Sequence, residues 1–125
     1  MPSIRMDKTI FPFFKKKDNQ GPTYAEVGES VFGNAGYSNM SLEISGDAVG
    51  YVEGCINLQN PDGSSKKDEE LSWGRLALID KADYNVLDGF SAKGHYDVAI
   101  NGMQKVRVVV TSVGSEVTIL GMMEA

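Results

Sequence analysis

One cysteine and one histidine, Cys55 and His95, leave this sequence without the reagents of several common chemistries. A lone thiol cannot close an intramolecular disulfide, so the fold is not a disulfide-built secreted scaffold. Cys55 has no basic sequence neighbour to favour its thiolate. It sits in an apolar, glycine-punctuated run, where a free thiol packs as a small hydrophobe. A single histidine excludes multi-histidine metal centres, and the missing second cysteine excludes zinc ribbons. The sequence carries no Gly-x-x-x-x-Gly-Lys phosphate loop. Long hydrophobic runs are absent as well: no window approaches the roughly 20 apolar residues that span a bilayer. Met1–Phe14 is too often broken by polar residues to act as a signal peptide, so synthesis in the cytoplasm is expected. Basic charge is scarce, with 12 Lys and Arg against 17 Asp and Glu and a net charge of −5. A nucleic-acid binder must neutralise phosphates, and the only basic run is Lys15–Lys17. Neither nucleic acid nor a membrane is an expected partner.

What is present is material for one small β domain. The 125 residues are 42% hydrophobic, enough for a core without disulfide or metal support. Fourteen glycines are spread along the chain, with short β-branched runs between them, the pattern of many strands joined by tight turns. In Lys105–Val113, Val106, Val108 and Val110 alternate with Lys105, Arg107 and Val109, which gives one apolar face. Gly114-Ser115 reads as a turn into a second strand, Glu116–Met123, and the two are expected to pair as a hairpin. Upstream, Gly94–Ile100 sets Tyr96, Val98 and Ile100 on one face and His95 and Asp97 on the other. Asn101-Gly102 follows as a turn, so the three strands are expected to form a meander. Met40–Ser45 and Val49–Leu58 read as strands on either side of Gly46-Asp47. Gly50 and Gly54 mark a bulge or the close approach of another backbone. Asn60–Glu70 is an exposed excursion, and Trp73–Ile79 and Tyr84–Leu87 are two further short strands. This many strands at such spacing predict an all-β fold, a single antiparallel β-sandwich or jelly roll.

The first 40 residues differ in texture. Gly21–Tyr37 is rich in Gly, Ser and Asn, and Pro12 among three phenylalanines argues against a central strand. Residues 1–40 are therefore expected to form an irregular N-terminal arm, and residues 41–125 the sandwich domain. Phe11, Phe13 and Phe14 either plug this domain's own core or anchor Met1–Lys17 on a neighbouring subunit.

Few residues carry chemistry. His95 lies on the exposed face of its strand and reads as a solvated surface histidine. Asp68, Glu69 and Glu70 are contiguous in a polar loop, where two carboxylates would share one environment instead of the separated pKa values an acid–base pair needs. Asp62-Gly63 lacks EF-hand spacing and reads as a turn. No catalytic residue, cofactor or metal ligand is expected. Tyr37, Tyr51 and Trp73, with Tyr96, either belong to the core or offer flat rings for stacking against sugars.

From Asp47 to Met123 the chain resembles small virion proteins of tailed bacteriophages. The pieces are Tyr51–Gly54 (YVEG), Asp62-Gly63, Trp73–Leu76 (WGRL), Gly94–Val98 (GHYDV), Gly102–Val108 (GMQKVRV), Thr111–Val113 (TSV) and Val117–Gly121 (VTILG). The stretch is similar to the β-sandwich module, akin to carbohydrate-binding and discoidin-type jelly rolls, of head-decoration, head-fibre and tail components. The resemblance implies a non-enzymatic structural role in a virion. It also implies attachment to capsid or tail proteins, assembly as a homo-oligomer, and a face available to host glycans. Met1–Met40 does not match the module, and attachment to the particle would fall there.

Overall fold

A computed structural model describes residues 8–14, 27–114 and 116–125 of the chain. The basic run Lys15–Lys17, Met1–Asp7 of the expected arm and Ser115 of the expected turn lie outside them. Among the described residues ten strands follow one another: β1 (Lys8–Phe14), β2 (Gly28–Gly33), β3 (Asn39–Ser45), β4 (Ala48–Cys55), β5 (Gly74–Leu76), β6 (Leu78–Asp80), β7 (Val86–Leu87), β8 (Gly94–Ala99), β9 (Lys105–Val113) and β10 (Thr118–Glu124). They form a six-stranded sheet, ordered β1-β10-β3-β8-β6-β7, and a four-stranded sheet, ordered β2-β9-β4-β5. All named pairs are antiparallel, and the protein is an all-β sandwich. Among the described residues no helix is long and apolar enough to cross a membrane.

Alternation decides which side chains meet between the sheets. Met40, Leu42 and Ile44 of β3, Tyr96 and Val98 of β8, and Ile119 and Met123 of β10 are buried from the six-stranded side. Val106, Val108 and Val110 of β9 and Val52 of β4 are buried from the four-stranded side. Burying each such side chain contributes about 1.5–3 kcal/mol, which makes this layer the main source of stability. Cys55 is buried at the end of β4, as an apolar thiol should be.

The expected hairpin and meander do not form. β9 pairs with β2 and β4, whereas β10 pairs with β1 and β3 in the other sheet. β8, similarly, pairs with β3 and β6. Period-two alternation fixes which face of a strand is buried, and a strand facing β9 across the core needs the same pattern as one beside it. At the crossing from β9, the Gly114 amide donates to the Asp47 carbonyl at 3.0 Å. The crossing from β8 uses Gly102 at φ +84°, with the Met103 amide bonded to the Ile100 carbonyl at 3.0 Å. Asn34 ties this crossing to the one between β2 and β3: its Nδ2 donates to the carbonyls of Tyr37 (3.0 Å) and Met103 (2.9 Å). The expected single strand Trp73–Ile79 likewise splits, with β5 in one sheet and β6 in the other. β4 stops at Cys55, which leaves Ile56 exposed.

The segment before residue 41 is not irregular throughout. β1 lies along β10, and β2 lies along β9. Pro12, without an amide hydrogen, is tolerated because β1 is an edge strand, and its register against β10 shifts between Pro12 and Phe14. Gly121 of β10 makes room for the strand's aromatic: a Cβ there would come within 2.6 Å of the Phe13 ring.

Tyr96 is 3% exposed, and its hydroxyl donates to the Ala92 carbonyl at 3.0 Å. Burial, and secondarily the charge of Asp80, raises its phenol above the usual 10.0. A phenol raised on folding stabilises the native state fully below its unfolded pKa, and that contribution is lost as pH climbs through the folded value. The unfolding midpoint is therefore expected to fall as pH rises through and above about 10, and the fall to shrink in Tyr96→Phe. An unchanged pH profile in the variant would contradict the assignment.

Candidate functional site

The outer face of the four-stranded sheet carries a built cluster. Antiparallel register lines up Val31, Arg107, Glu53 and Arg75 across β2, β9, β4 and β5, with Glu29, Val109 and Tyr51 in the next outward row. Arg107 donates to Glu53 Oε1 from Nε (2.8 Å) and Nη2 (2.6 Å), and to Glu29 Oε2 from Nη1 (2.8 Å). Its guanidinium lies 4.1 Å from the Trp73 ring centre, and that of Arg75 lies 3.7 Å from the Tyr51 ring centre. Arg75 also donates to the Asp88 carbonyl at 3.4 Å. The planar guanidinium suits both tasks, since it bonds in its plane and stacks on its face. The Arg107 and Glu53 side chains are only 19% and 15% exposed, so the pair is shielded from water. Arg107→Ala would strand the Glu53 carboxylate and is expected to cost about 1–3 kcal/mol. Arg107→Lys should recover only part, because an ammonium cannot stack and bridge two carboxylates at once. Urea unfolding of both variants checks this; equal stability of Arg107→Ala and the parent would contradict it.

The outer face of the six-stranded sheet is divided. Pro12, Leu120, Glu43 and His95 form one register row, and Ile10, Met122, Ser41, Asp97 and Ile79 form the next. Ile10, Leu120 and Met122 therefore border a shallow groove of about 360 Å3 whose other wall is polar. There His95 Nε2 lies 3.2 Å from Glu43 Oε2, with side chains 64% and 52% exposed. Lys81 Nζ reaches Asp97 at 3.2 Å and donates to Ser41 Oγ at 3.3 Å, and Ser41 Oγ donates to Asp97 at 3.3 Å. The histidine–carboxylate pair thus has a serine nearby, but the bonds of that hydroxyl go to Asp97 and Lys81. Such a pair in water contributes little to stability.

The sequence-derived candidates fall in different places. Phe13 is 4% exposed in the core, with its ring centre 4.8 Å from that of Phe11. The Phe11 ring lies 5.2 Å from Phe32 of β2 and so bridges the two sheets at one side, and Phe14 is half-buried against the same core. Tyr37 packs 6.3 Å from Phe32 and shares a hydrogen bond with Thr9, whereas Tyr51 and Trp73 stand on the four-stranded outer face. The three do not form one platform, and Tyr51 and Trp73 each carry a guanidinium on the ring. Trp73 is half-buried outside the core. Among the described residues no His, Cys, Asp and Glu side chains group as metal ligands. Asp62 is closed on Ser64, whose hydroxyl (2.6 Å) and then amide (2.9 Å) hold the carboxyl below its usual range. The sequence reading missed Arg75 and Arg107. The one signal for Arg107 was a charged residue at the centre of a valine strand, on the outward parity, where it needs a partner.

No family model matches the sequence, and no curated protein matches it. Two solved structures share its fold. The SPBc2 prophage-derived protein YomS superposes with a TM-score of 0.68 at 20% identity, over 100% of this chain and 99% of YomS. The PBSX exported protein XepA gives a TM-score of 0.68 at 12% identity, over 100% of this chain and 40% of XepA. This chain has the fold of YomS from end to end and of a part of XepA.

Proposed function

We propose that this chain is a phage structural protein that acts by protein–protein assembly in several copies on a virion, at the capsid or the tail, without chemistry of its own. The observation that carries the reading is the end-to-end likeness in fold to a prophage-derived protein of nearly the same extent. The two outer faces support it. One presents Trp73, Tyr51, Arg75 and Arg107, the residue types that anchor protein interfaces, and the other presents Ile10, Leu120 and Met122 beside a polar wall.

The test is the protein content of purified particles of the encoding phage, with a deletion of the gene for comparison. The chain is expected at a fixed copy number per particle through successive density gradients. A chain found only in the soluble fraction would overturn the reading.

A further inference from the structure

We propose that the β6–β7 hairpin, with Tyr84 at its tip, is a docking finger for a protein surface that presents an apolar pocket rimmed by lysine or arginine. Tyr84 has φ +62° and is the one non-glycine residue with positive φ among the described residues. That conformation drives Cβ against the next carbonyl and is disfavoured for a bulky side chain. Backbone bonds enforce it: the Tyr84 amide donates to the Asp80 carbonyl (2.7 Å), and the Asp80 amide to the Asn85 carbonyl (2.9 Å). Asp80 and Asp83 lock the turn further by accepting from the amides of Ala82 (2.9 Å) and Asn85 (3.0 Å). Glycine would close this turn without strain. The ring gains little packing in return, because the residue is 79% exposed. A strained aromatic so little packed within its own chain points to a use outside it.

The neighbours extend the same surface. Val86, Ile79 and Leu87 are 69%, 39% and 36% exposed, so four large apolar side chains stand in water within one hairpin. The charge around them identifies the partner. Lys81 is matched to Asp97 at 3.2 Å and the Arg75 guanidinium reaches the Asp88 backbone carbonyl at 3.4 Å, while the side-chain carboxylates of Asp80, Asp83 and Asp88 make no ion pair among the described residues. An apolar tip with an acidic margin is repelled by phosphate-rich surfaces and complements a pocket with a basic rim.

The identity of the partner rests on the assembly reading, and the experiment separates the two. The full chain, its Tyr84→Gly variant and an Asp83→Asn/Asp88→Asn variant are titrated onto particles purified from the deletion strain, with thermal unfolding measured alongside. Tyr84→Gly is expected to bind about tenfold more weakly or worse, while its midpoint rises by about 2–4 °C as the strain is relieved. The double aspartate variant is expected to bind more weakly, and parent binding to weaken as salt is raised. Equal binding by parent and Tyr84→Gly would overturn the finger and leave the assembly reading standing. Failure of every form to bind would overturn both. A lowered midpoint in Tyr84→Gly would make the ring part of the fold and overturn the finger. Binding indifferent to salt and to the aspartates would overturn the basic rim. Self-association of the parent that Tyr84→Gly abolishes would assign the finger to a second copy and overturn the proposed partner.

Discussion

Phe13→Ala is expected to lower the free energy of unfolding by about 3–5 kcal/mol, a large share of the roughly 5–15 kcal/mol available to a domain of this kind. The ring is 4% exposed, stacks edge-on against Phe11 at 4.8 Å and fills the slot left by Gly121. Truncation removes buried area and leaves a cavity between β1 and β10, because the slot is shaped by backbone and cannot collapse onto a smaller side chain. Phe14, half-buried, should cost less when truncated. Urea unfolding of the two variants separates core from interface. If Phe13 anchored a neighbour, its loss would leave the unfolding of the monomer unchanged and dissociate the assembly.

Gly50→Ala should be about as damaging, at about 3 kcal/mol. A Cβ at this position would fall 2.1 Å from the Val109 carbonyl oxygen and 2.8 Å from the Phe90 ring. The first obstacle is backbone of the adjacent strand, which can yield only by opening the β4–β9 ladder. The second is a core side chain that the chain itself holds in place, since Gly50 and Phe90 exchange amide bonds of 3.0 and 2.8 Å. Gly33→Ala is the control: nothing lies within 4 Å of a Cβ there, and its stability should stay within about 1 kcal/mol of the parent. Parent-like unfolding of Gly50→Ala would mean that Phe90 does not cross over β4.

Gly50 also shows how far the sequence could be read. A glycine inside a strand-like run signals a bulge or an approaching backbone, and both occur there, as the register of β4 against β9 shifts at Val49 and Gly50. Val106, Val108 and Val110 of β9, Tyr96 and Val98 of β8, and Ile100 just after it face the core as their alternation requires. Partnership between strands was not legible. Alternation in β9 and β10 is equally compatible with a hairpin and with two strands facing each other across the core, and only contacts distant in sequence choose between them. β1 was hidden for a different reason: Pro12 masks a strand whose edge position makes the missing amide hydrogen harmless. The Arg–aromatic cluster was hidden by register, because Glu29, Glu53, Trp73 and Arg107 come from four separate parts of the chain. Tyr84 could not stand out either, since nothing in the letters around it marks a positive φ.

The proposed role in a particle is tested most directly by imaging. Cryo-electron micrographs of particles from the parent phage and from the deletion strain would be averaged and subtracted. The expected difference is density the size of one two-sheet sandwich, repeated at symmetry-related positions on the head or the tail. Identical maps from the two strains, with the chain recovered only from the soluble lysate, would contradict it.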